Sequence, residues 1–258
     1  MPTLADIARF CDDLLGTAGF PDSTRALNGI QVDCDDDITK IAAAVDARER
    51  TIAAAHAARA NLLLVHHGLF WGGLRPLQGP QLRRFGALLR SGIGVYAAHL
   101  PLDAHPDIGN GALLAGALGL TPTGTFGRYM GVEVGVSGQS EPLDTAELVA
   151  GARAFAAEYG GSVRTSPVAA GRRTERWGVI TGAGASSDTI SEAAERGIDT
   201  MIVGEGPHHT AIEAEEAGIV IIYAGHYATE ALGVQALATR VAETFRIPWV
   251  FVHEPTGL

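Results

Sequence analysis

Strand and helix segments alternate along most of this chain, and that rhythm restricts the fold more than any other feature. Residues 38–45 read as a strand and 47–60 as a helix. The run 61–65 (NLLLV) is a short strand, 81–91 a helix, 93–98 (IGVYAA) a strand and 110–118 a helix. The rhythm resumes with strands at 177–181, 200–203, 219–224 and 248–252, separated by helices at 187–196, 207–217 and 229–245. Such alternation predicts α/β architecture, with mostly parallel sheets covered by helices. The middle has another texture: 130–137 alternates like a strand, 145–159 reads as a helix and 162–167 as a further strand. A helix over 3–16 opens the chain, with Thr3 and Asp6 set as a capping box and Cys11 on its apolar stripe. Residues 19–27 are polar and turn-like, and 28–32 (NGIQV) turn into a strand. We expect two α/β lobes without a flexible linker. One is 1–124, with 226–258 packing back on it, and the other is 125–225.

Composition narrows the function. Charged residues make up 19% of the chain, hydrophobic residues 47%, and the net charge is −10. A chain so poor in charge and rich in apolar groups can offset the entropy of ordering, so intrinsic disorder is excluded. No apolar run approaches the roughly 18 residues of a membrane span. The opening MPTLADIARF has an early acid and no apolar core, so it does not read as a secretory signal. The acidic balance argues against a general nucleic-acid binder. Cys11 and Cys34 cannot build a disulfide framework, which makes a reducing cytoplasm the expected location. The low charge suggests apolar surface buried between subunits.

Three predicted strands each end in histidine. His66-His67-Gly68 follows 61–65, His99-Leu100-Pro101-Leu102-Asp103 follows 93–98, and Gly225-His226-Tyr227-Ala228-Thr229-Glu230 follows 219–224. Ligands of parallel sheets gather at these carboxyl ends. Neighbouring strand residues face opposite ways, so His66 and His67 converge only if the chain turns there, which Gly68 permits. His226 and Glu230 would share one face of a helix starting at that point. Imidazole and carboxylate donors suit Zn, Fe, Mn, Co or Ni. His66, His67, Asp103, His226 and Glu230 are too many for one open zinc centre, but they suffice for two divalent ions. Such a site would still favour an anionic group such as phosphate. Each motif alone also has a plain reading as loop polarity or a helix cap; their joint occurrence favours metal.

Other polar clusters carry less. Gly204-Glu205-Gly206-Pro207-His208-His209 opens a helix, with Pro207 as a first-turn residue. Glu205, His208 or His209 could transfer protons or touch substrate, or could simply solvate that helix end. The turn 181–185 (TGAGA) resembles a phosphate cradle but lacks the P-loop lysine. The acidic run 34–37 (CDDD) could hold a hard cation, though a solvated turn is the commoner outcome. His56 and His253 read as surface or packing residues, and His105 could orient Asp103.

In order along the chain, the motifs NGIQV, HHGLFW, HLPLD with Asn110, Gly204-Glu205 and GHYATE resemble the Nif-three-like dinuclear metal-centre family, often labelled GTP-cyclohydrolase-like. The resemblance spans nearly the whole chain and matches the short form without the inserted domain. It implies a ring-shaped homohexamer with metal pairs facing an internal cavity. It also implies His66, His67, Asp103, His226 and Glu230 as metal ligands, with His99 beside them. Three functions are compatible. One is a metal-dependent hydrolase using a metal-bridging water on a small, nucleotide- or pterin-like substrate, with His99 or Glu205 moving the proton. The others are a non-catalytic metal-bearing binding protein or chaperone, and a regulatory scaffold.

Overall fold

A computed structural model describes residues 1–34 and 36–258. The chain divides into two compact units: residues 1–102 with 233–254, and residues 103–232 with 255–258. The divisions fall at 102/103 and 232/233 rather than near 124 and 225. Packing accounts for the first difference: past the short α4 (Leu100–Asp103), helix α5 (Asn110–Ala117) lies against strands β6 (Val132–Asp144) and β8 (Arg173–Ile180) of the second sheet.

The first unit is built on a sheet of β1 (Gly29–Val32), β2 (Ile41–Asp46), β3 (Leu62–His67), β4 (Gly94–Ala97) and β11 (Trp249–Phe251). Its order is β1–β4–β3–β2–β11, and every pair is parallel except β1 on β4. β2 and β3 are buried nearly end to end, as continuous apolar runs must be when both sheet faces are covered. Helices α1 (Leu4–Leu15), α2 (Glu49–Ala57) and α3 (Pro80–Ser91) belong to this unit, as does most of α10 (Ala231–Phe245). The capping box of α1 forms as expected: Asp6 N–H donates to Thr3 Oγ1, and Thr3 N–H to Asp6 Oδ2. Cys11 is fully buried on the same helix. The acidic run at 34–37 includes Asp35, which lies outside the described residues.

The second unit carries β5 (Gly124–Tyr129), β6 (Val132–Asp144), β7 (Arg164–Thr165), β8 (Arg173–Ile180), β9 (Thr200–Val203) and β10 (Val220–Tyr223). Their order is β5–β6–β8–β9–β10–β7. Only β8, β9 and β10 run parallel, so this sheet is mixed rather than mostly parallel. Its first pair shows why. β5, unforeseen in the sequence, joins β6 through Met130 and Gly131, at φ of 50° and 88°. Two positive-φ residues make a tight hairpin turn, and a tight turn yields antiparallel neighbours. Helices α6 (Thr145–Glu158), α7 (Ser187–Glu195) and α8 (His208–Glu216) complete the βα rhythm. Pro207 is the N-cap of α8, one place before the expected first-turn position. The expected helix 229–245 is two pieces, α9 (His226–Thr229) and α10, broken at Glu230. Trp177 is the largest fully buried side chain and packs with Leu114, Phe155, Ile202 and Ile222. We expect Trp177→Ala to cost about 3–5 kcal/mol through the cavity it opens, read as a lowered urea midpoint.

Candidate metal centre

In the first unit, His66 and His67 are the last two residues of β3, so no turn separates them, although their convergence was expected to need one there. Their rings nevertheless meet, with centroids 4.7 Å apart. Each imidazole reaches to a neighbouring strand instead. His66 Nδ1 lies 2.9 Å from the carbonyl of Ala98, just beyond β4. His67 Nδ1 lies 3.0 Å from Oδ1 of Asp46, its register partner at the end of β2. His99 joins them, with ring centroids 5.0 Å from His66 and 5.6 Å from His67. One donor atom from each of the three lies within 4.8 Å of the others. The Trp71 indole stands edge-on to the His99 ring at 4.7 Å.

Asp22 and Asn28 fix His99. Asp22 Oδ1 accepts from His99 Nδ1 at 2.9 Å, and its Oδ2 accepts from Asn28 Nδ2 and the Leu100 N–H. Asn28 Oδ1 accepts the backbone N–H of His99 at 2.7 Å. Burial pushes the Asp22 carboxyl up, but hydrogen bonds from His99, Asn28 and Leu100 outweigh it and hold it below its ordinary value. Gln31 supports the next turn, its Oε1 accepting the Leu69 N–H at 2.6 Å. A Cβ on Gly68 would collide with that Gln31 amide.

In the second unit, Asp103 is buried, and its Oδ1 accepts from Asn110 Nδ2 at 2.8 Å and Thr181 Oγ1 at 3.3 Å. The next residue, Gly182, donates its N–H to Thr229 Oγ1. At Gly182 a Cβ would collide with Glu230 Oε1 and sit 3.3 Å from His226 Nε2. The turn that resembles a phosphate cradle thus lies against Asp103, His226 and Glu230. His226 sits between two acids, Nδ1 2.8 Å from Glu205 Oε1 and Nε2 3.1 Å from Glu230 Oε2. Glu230 is at hand although the helix breaks at it. His208 and His209 are exposed on α8, and Glu205 alone of that cluster reaches a predicted ligand. His105 Nδ1 accepts the N–H groups of Asp107 and Ile108, while Asn110 and Thr181 orient Asp103.

The donor chemistry fits metal. Carbonyl and carboxylate oxygens only accept, so Nδ1 of His66, His67, His99 and His226 carries the hydrogen. In the neutral ring that leaves Nε2 as the basic nitrogen, the arrangement typical of metal-bound histidine.

The profile of the Duf34/NIF3 (NGG1p interacting factor 3) family matches residues 2–256. The chain belongs to that family. A Deinococcus radiodurans relative of the NIF3 chain, called GTP cyclohydrolase 1 type 2 homolog, is 40% identical over 98% of this chain and 94% of its own. A Pyrococcus abyssi protein of the same name is 39% identical over 98% of both. Among solved structures, the structural-genomics protein ybgI, of unknown function, superposes with a TM-score of 0.88 at 30% identity, over 99% of this chain and 100% of that one. A Thermus thermophilus protein gives 0.83 at 33% identity, over 98% and 99%.

Asp22 and Asp46 are not marked as site residues by the sequence motifs. Asp46 left one usable trace: it directly follows the predicted strand 38–45, as His66-His67 follow the strand 61–65. Asp22 sits in a polar turn far from His99 in sequence, and nothing local marks it.

Burial opposes charging of His226, but Glu230 and then Glu205 outweigh it and raise its pKa from 6.5 to about 9. The folded value exceeds the unfolded one. This pairing therefore stabilises the metal-free NIF3 chain fully below pH 6.5 and is lost as pH rises through about 9. Imidazole NMR of chelator-treated protein should show His226 titrating near pH 9. Glu230→Gln should bring it down, and an ordinary midpoint in the unmutated chain would contradict the pairing.

Proposed function

We propose that this chain is a metal-dependent hydrolase that holds two divalent ions per subunit, drawn from Zn, Fe, Mn, Co or Ni. His66, His67, Asp103, His226 and Glu230 would be the ligands. One observation carries the reading: four imidazoles have Nδ1 committed to an oxygen acceptor, from Ala98, Asp46, Asp22 and Glu205. Bound there, paired divalent ions supply Lewis acidity and a water of pKa near about 7.

The chain's own groups divide the remaining work. His99, steadied by Asp22, is the proton carrier, because its ring stands with the ligand imidazoles. Glu205 was the other candidate for that task. With Oε1 on His226 Nδ1 it orients a ligand instead. A small nucleotide- or pterin-like substrate is favoured by the name of the relatives, GTP cyclohydrolase 1 type 2 homolog. We place the protein in the cytoplasm as a homohexameric ring; no helix among the described residues is long and apolar enough to cross a membrane.

Metal analysis of protein purified without chelator should find about two ions per chain, and fewer than about one would sink the dinuclear reading. His226→Ala should lose metal and hydrolysis together while keeping its fold. Full hydrolysis by that variant would refute the catalytic reading. Binding without turnover across nucleotides, pterins, phosphoesters and peptides would point to a non-catalytic binding protein, chaperone or scaffold. Sedimentation at micromolar concentration should give a hexamer, and a monomer there would reject the ring.

A further inference from the structure

Residues 51–102 contain five arginines and no aspartate or glutamate, in a chain of net charge −10. The imidazoles of His66, His67 and His99 all belong to this block.

Four of these arginines are unremarkable for a surface. Arg75, Arg83 and Arg90 are exposed, and Arg83 lies 3.4 Å from Glu49. Arg59 lies in the turn after α2. Arg84 differs. It is half-buried on α3, beside the Phe85 ring at 5.6 Å. Its Nη2 donates to the Leu69 carbonyl at 3.1 Å, two residues past His67. Its Nε–H is buried and has no hydrogen-bond partner among the described residues. No carboxylate forms an ion pair with it among those residues either, and burial alone lowers its pKa. A partly buried guanidinium with an unsatisfied Nε–H and no counter-ion is costly, and its planar fork matches phosphate or carboxylate.

We infer that Arg84 is an anion-binding residue that holds a phosphate-type group of the substrate beside the imidazole cluster. The inference rests on reading that cluster as the reacting centre, and it names the substrate class as phosphate-bearing. The competing role is purely structural, a tie between α3 and the Leu69 carbonyl. That role predicts lost stability with unchanged anion affinity.

Calorimetric titration of the full chain with inorganic phosphate, before and after metal removal, separates the two. Metal-stripped wild type should bind phosphate, and Arg84→Gln should weaken that binding by about tenfold or more, with metal content unchanged. Arg84→Lys keeps the charge without the fork and should lose a smaller, measurable part. Unchanged affinity in either folded variant overturns the proposal. So does a stripped wild type that binds no phosphate. Metal content measured on the same samples keeps this reading apart from the hydrolase reading. A wild type without metal would defeat the latter and leave the phosphate comparison decisive for Arg84.

Discussion

Everything at the candidate centre depends on one interaction, an imidazole Nδ1–H held by an oxygen. It settles which ring nitrogen keeps its lone pair, and it removes the ring's freedom to rotate. The acceptors come from backbone positions that only the folded sheet brings near. Ala98 follows β4 and Asp46 closes β2, one on each side of β3. The parallel register of β2 and β3 sets Asp46 opposite His67. A slip of one residue would point that carboxylate to the other face and leave the imidazole without its anchor.

The second unit reaches the same end by a different device. Its candidate ligands sit around a turn where a larger side chain would collide with them. Thr181 holds Asp103, and Gly182 leaves room for Glu230 and His226. Thr229 adds to this, since Oγ1 accepts from Gly182 N–H and donates to a carbonyl of its own turn. Small residues here act through the volume they do not fill, and for that reason a phosphate-binding reading of the same glycines was attractive.

The candidate ligands stood out in the sequence because each lies close to a strand whose apolar run is plain. The βα rhythm fixed where those strands end, and histidine at three such ends is a local signal. The anchors were not legible, because they are non-local. Asp22 is 77 positions from His99, and Asp46 is 21 from His67. The unforeseen β5 hides for another reason. Its turn is Met130-Gly131 rather than an asparagine–glycine pair, and its burial pattern is exposed at both ends. The division at 102/103 was not legible because α5 carries no mark of which sheet it will cover. Apolar on every side, it could pack on either.

The four anchors differ in one respect beyond geometry. His66 leans on a neutral carbonyl, whereas His67, His99 and His226 lean on carboxylates. A charged acceptor draws its hydrogen more strongly and pushes electron density toward the far nitrogen. The imidazoles are therefore graded in donor strength, with His66 the softest hold and the most deeply enclosed. Were these rings to hold a cation, as proposed, His66 would be the weaker donor among them.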